Sequence, residues 1–208
     1  MGMLLKHGPS QIARPREIHL TTYGFDASME AAWDTILGRC AANIERYSIH
    51  QHPGEPTFVP SIFRFSKFPR LKDLTITTNY LQLFSVSYPH LLREFDRLSR
   101  SRSATNLSHL RFEVHFYEAL PPNRGPPLLQ EVRLGWINHS FWRKLAGILS
   151  RSSFSHLEAV ELQFIYSHTE GDLPEDERSI MVDLMRSKLE DLQEDGSIRL
   201  SVMVGPMR

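Results

Sequence analysis

Cysteine is almost absent: one residue, Cys40, in 208. A lone thiol cannot close an internal disulfide, so any stable fold must rest on its core, and a reducing compartment, cytoplasm or nucleus, is expected. Long hydrophobic runs are missing too. Met1 to Pro9 offers only Leu4-Leu5, too short for the apolar stretch of a secretory signal. No run nears the roughly 20 apolar residues that span a bilayer, so no membrane partner is expected. Net charge is also lacking: 24 basic and 24 acidic residues cancel. Without a basic excess there is no whole-protein electrostatic case for nucleic acid. The catalytic signatures are missing as well. There is no Gly-x-Ser-x-Gly, His-Glu-x-x-His, Walker loop or dinucleotide glycine pattern. Neither catalytic residues nor cofactor sites can be assigned, and no enzyme is expected.

What is present is a hydrophobic content of 41% and a short pattern that recurs. It reads apolar, two residues, apolar, one residue, apolar. Ile44-Tyr47-Ile49, Leu71-Leu74-Ile76, Leu107-Leu110-Phe112, Leu129-Val132-Leu134 and Leu157-Val160-Leu162 fit it. Pro15-Ile18-Leu20 fits with proline in the first slot, and Ser197-Leu200-Val202 is a degenerate last copy. From the last apolar residue of one copy to the next, the steps are 29, 27, 36, 22, 28 and 40 residues. Most sit near the period of a leucine-rich unit. The alternation within each copy is that of a strand with one buried face.

Helix signals lie between the strands. Asp26 or Ser28 could cap a helix carrying Met29, Trp33, Ile36, Leu37 and Cys40 on one face. Tyr88 to Arg100 carries Leu91, Leu92, Phe95 and Leu98, and Asn138 or Ser140 could start a helix with Phe141, Trp142, Leu145, Ile148 and Leu149. Pro174 opens the clearest one. Glu175, Asp176 and Glu177 fill its first turn, and Met181, Leu184, Met185, Leu189 and Leu192 form its apolar face. Strands joined by helices imply a parallel sheet. Gln51 to Pro60 and Leu120 to Pro127 are proline-rich loops. The expected organisation is an extension over 1–14, one α/β repeat domain over 15–204, and a tail over 205–208.

The copies Phe68 to Thr77, Leu107 to Phe116, Leu128 to Ile137 and Phe154 to Phe164 resemble the divergent leucine-rich repeats of fungal F-box-type proteins. The resemblance covers roughly Pro15 to Val204. It implies an irregular leucine-rich-repeat-like solenoid, with parallel strands inside and helices on the outer face. It also implies a protein-binding surface like that of a ubiquitin-ligase substrate receptor, with ligase components among the possible partners. No F-box, the short helical module that docks on the ligase adaptor, is evident, and the asparagine-or-cysteine position after the strand is not consistently filled.

In such an array the residues between the buried ones line an open, concave face. The candidate partner-binding residues on it are His19, Ser48, His50, Thr75, Arg111, Glu113, His115, Arg133, Glu161 and Gln163. Mixed polarity suits another protein's surface. Other features have plainer readings. Trp136 and Trp142 flank Asn138-His139, either as exposed anchors or as core. His50-Gln51-His52 lacks the further ligands a zinc site needs, so no metal is expected. Cys40 lies on an apolar helix face, as an inert thiol would. Arg97, Arg100 and Arg102, alternating with serines, read first as a solvated helix end, then as a phosphorylation site, and last as a weak RNA contact. The remaining alternative is a compact α/β enzyme of unrecognised type, in which histidines converge with carboxylates in a deep pocket.

Overall fold

The structure, a computed structural model, describes residues 15–22, 27–51, 60–79, 88–101, 106–116, 139–166, 174–193 and 197–206. Six of the seven apolar copies fall in described strands: β1 (Glu17–Thr21), β2 (Arg46–His50), β3 (Asp73–Asn79), β4 (His109–Phe116), β5 (Ala159–Tyr166) and β6 (Arg199–Pro206). All pairings are parallel, and the order across the sheet is the order along the chain.

The register follows the sequence pattern. Ile18, Tyr47, Leu74, Leu110, Val160 and Leu200 stand side by side, as do Leu20, Ile49, Ile76, Phe112, Leu162 and Val202. The entry to each strand repeats as well. The carbonyl of Arg16 accepts from the N–H groups of Glu45 and Arg46, that of Glu45 from Lys72 and Asp73, that of Lys72 from Ser108 and His109, and that of Ser108 from Glu158 and Ala159, at 2.8–3.1 Å. A one-residue slip would turn every buried side chain to the other face, so this register is strongly specified.

Four α-helices lie among the described residues: α1 (Ala27–Cys40), α2 (Tyr88–Ser99), α3 (Ser140–Leu149) and α4 (Glu175–Lys188). The β2–β3 connection instead contains two 3₁₀ turns, Pro60–Phe63 and Phe65–Lys67. One hydrophobic cluster joins the strand rows to Trp33 and Leu37 of α1, Leu91, Phe95 and Leu98 of α2, Phe141, Trp142, Leu145 and Leu149 of α3, and Met181 and Met185 of α4. A sheet advancing one strand at a time keeps its crossovers on one face, and this is the face that is buried.

Tyr47 shows how the core admits a polar atom. Its hydroxyl donates to the carbonyl of Ile62 at 2.6 Å, and its ring stacks on Trp33 at 6.2 Å. Complete burial pushes the phenol's pKa up. Cys40 is buried, donates to the Ile36 carbonyl at 2.9 Å, and has its thiol pKa raised by burial. Trp142 is core, at 0% exposure.

Some expectations differ from the structure. The Leu129-Val132-Leu134 copy, the loop over 120–127 and Trp136 lie outside the described residues, and β4 pairs directly with β5. Strand pairing reaches Pro206, beyond the expected boundary at Val204. α3 starts at Ser140, one of its two expected starts, and its cap is His139, whose Nδ1 accepts from the Phe141 N–H at 3.1 Å. An imidazole nitrogen can accept only when unprotonated. Burial first, and the Lys144 charge second, lower the pKa of this ring and favour that neutral form.

Candidate functional site

Period-two alternation sends every second residue of the sheet away from the core, and parallel pairing sets these residues in rows. His19, Ser48, Thr75, Arg111 and Glu161 form one row. Thr21, His50, Thr77, Glu113 and Gln163 form the next, and Asn79, His115 and Ile165 a shorter third. Nine of the ten candidate residues therefore share this open face. Arg133 lies outside the described residues.

The charges on the face are largely paired with one another. Glu17 accepts from His19 at 2.9 Å and from Arg46 at 3.0 Å, and Asp73 lies 3.0 Å from His109. The densest group is built on β4. Arg111 Nη2 donates to Gln163 at 2.5 Å and to Glu113 at 3.4 Å, while His115 Nε2 lies 2.7 Å from the other Glu113 oxygen. The His50 ring is 6.4 Å from that of His115. The pKa of Glu113 is lowered, chiefly by its hydrogen bond with His115. Partial burial opposes the shift, while the charges of His115, Arg111 and His50 add to it. Arg111 is not fully satisfied: its buried Nε has no hydrogen-bond partner among the described residues.

Two hollows open on this face. One of 170 Å³ is bordered by Asp73, Thr75, His109, Arg111 and Glu161. Glu161, on the border of this hollow, makes no ion pair among the described residues. The other, of 850 Å³, starts at Glu113, His115 and Gln163 and passes round the end of the sheet to β6 and α4. Arg178, Val182 and Arg186 of α4 border it. Sequence periodicity could not assign these helix residues to the site, because only the topology brings α4 beside the last strand.

The arginine-serine run is held within the fold. Arg97 pairs with the buried Glu94 at 3.3 Å and Arg100 with Asp96 at 2.7 Å. Arg151 donates to Asp96 at 2.6 Å and to Ser99 at 2.8 Å. The hydrogen bond from Arg151 is the main cause of a lowered pKa at Asp96. Arg102 and Ser103 lie outside the described residues. Among the described residues, no group of three or more His, Cys, Asp or Glu side chains could hold a metal ion, and no helix is long and apolar enough to cross a membrane. No family model matches the chain, and no curated protein or solved structure matches it either.

Proposed function

We propose that the chain is a leucine-rich-repeat-like protein-interaction module that docks another protein against the open face of its sheet. The carrying observation is the row His19–Ser48–Thr75–Arg111–Glu161, five polar residues held in consecutive register by a rigid buried layer. Parallel strands fixed by their buried apolar rows supply a backbone that is ordered before binding, which lowers the ordering cost and is how preorganisation favours affinity. Mixed charge there sets orientation and choice of partner. The F-box resemblance extends the proposal to substrate recognition in a ubiquitin ligase.

The test is quantitative affinity purification of the full chain from its native cell. Thr75→Arg with Glu161→Arg should reduce the captured partner about tenfold, the effect of losing one well-placed contact, with an unchanged circular dichroism spectrum. A partner retained in full by this variant would refute docking on the open face. Co-purification of the ligase adaptor would support the receptor role.

The convergence of His50, Glu113 and His115 beside the larger hollow favours a second reading, an acid–base site. It requires that the purified chain turn over a small substrate and that Glu113→Gln abolish the turnover. A substrate that binds to the hollow without being converted would count against it.

A further inference from the structure

The two edges of the sheet are finished differently. On β1, the core-facing Ile18 and Leu20 are 1% and 2% exposed. On β6, the core-facing Leu200 and Val204 are only half-buried, on either side of Val202 at 6%. Among the described residues β6 pairs only with β5. The N–H of Arg199 donates to the Glu158 carbonyl, so alternate residues of β6 turn their backbone groups toward β5. Leu200, Val202 and Val204 are the intervening residues and direct theirs outward. Beside this edge, across the hollow, runs the flank of α4 that carries Glu175, Arg178, Ser179, Val182, Asp183 and Arg186.

We propose that this end of the sheet is a two-fold interface between two copies of the chain, with β6 pairing antiparallel to β6 of the second copy. The pattern of the edge is self-complementary. A two-fold axis at Val202 sets Leu200 opposite Val204 of the second copy, and these are the residues with outward backbone groups. The helix flank carries a matching palindrome of charge. About a centre between Ile180 and Met181, Glu175 meets Arg186 of the second copy, Arg178 meets Asp183, and Ser179 meets Val182. Glu175, Asp183 and Arg186 have side chains 84%, 72% and 54% exposed, so they can reach across without unfolding anything. Within one copy Arg178 already lies 3.3 Å from Glu175, and Arg186 3.9 Å from Asp183. Pairing the copies joins these couples into alternating networks. An isologous contact demands such a self-complementary patch, and a second copy supplies it by construction. Head-to-tail addition of β1 to β6 would build an open filament, and the well-covered core residues of β1 offer it no matching apolar edge.

Sedimentation equilibrium of the full chain tests this. The expected result is a reversible two-chain mass that falls to one chain on dilution. Val204→Pro removes an outward N–H while leaving the bonds to β5 in place, and should give a monomer. Arg186→Glu and Glu175→Arg each put like charges opposite one another twice, and each should weaken the dimer about tenfold. The double exchange restores opposite charges and should recover the affinity. A single-chain mass at every concentration overturns the proposal, as does a dimer that Val204→Pro and both single reversals leave unchanged. Both reversals lie at exposed positions, so they remain informative even if the proline variant fails to fold. The outcome is independent of docking on the open face, which is read by other substitutions.

Discussion

Trp142→Ala is expected to destabilise the fold by about 3–5 kcal/mol, the range for truncating a large aromatic in a packed core. Trp142 is wholly buried on α3 and stands edge-to-face with two strands at once: Phe112 of β4 at 6.0 Å and Phe164 of β5 at 5.8 Å. Its helix neighbour Phe141 completes the group at 4.8 Å, and also meets Phe112 at 6.1 Å. Edge-to-face contacts set the positive rim of one ring on the negative face of another, so the alanine variant loses them as well as the buried area. The surrounding rings come from three different elements and cannot all collapse into the gap. Urea unfolding followed by circular dichroism measures the loss. Trp142→Phe keeps most of the volume and should cost clearly less. A loss below about 1 kcal/mol for alanine would mean that the four rings do not pack as described.

The strands were legible because two periods agree in them. Alternation marked which side chains enter the core, and the recurring three-position motif marked which residues of successive strands stand together. Ile18, Tyr47, Leu74, Leu110, Val160 and Leu200 therefore fall in one row without knowledge of the structure. That also carried the open face, since the residues between them had nowhere else to point. The cap at His139 was not legible, because histidine is not among the usual capping residues and its role depends on a neutral ring. Nor was the polar group at Glu113. Glu113, His115 and Arg111 are neighbours on a single strand, but their link to Gln163 spans 52 positions and to His50 depends on strand order. The charges of α4 looked like ordinary helix-end chemistry for a related reason. Glu175 does sit in the first turn where the helix dipole favours it, yet the same residue borders the hollow, and only tertiary placement shows that.

A second large effect is expected at Glu94, a carboxylate that would be a liability in a core without partners. Glu94 is 4% exposed, yet it sits on α2 between Leu91, Phe95 and Leu98, all fully buried. Its Oε1 accepts from the Ser66 N–H at 3.0 Å and from the Ser66 hydroxyl. Its Oε2 faces Arg97 at 3.3 Å. The carboxylate thus holds the 3₁₀ turn Phe65–Lys67 against the helix, which seats Phe65 on Phe95 at 4.9 Å. Glu94→Ala leaves the Ser66 N–H and hydroxyl without their acceptor, and an orphaned polar group costs about 1–3 kcal/mol. Glu94→Gln keeps a carbonyl oxygen for Ser66, though without the charge that strengthens those bonds, and gives up the pairing with Arg97, whose side chain is 63% exposed. Solvent leaves such a pair worth no more than about 1 kcal/mol. The expected order in chemical denaturation is therefore wild type, then glutamine slightly below, then alanine well below. Equal losses for the two variants would place the stabilisation in the ion pair instead and overturn the assignment to Ser66. The turn belongs to the β2–β3 connection, where the described residues form no α-helix. Glu94, one buried carboxylate on α2, thus fixes a 3₁₀ turn of the preceding connection to the helix that follows β3.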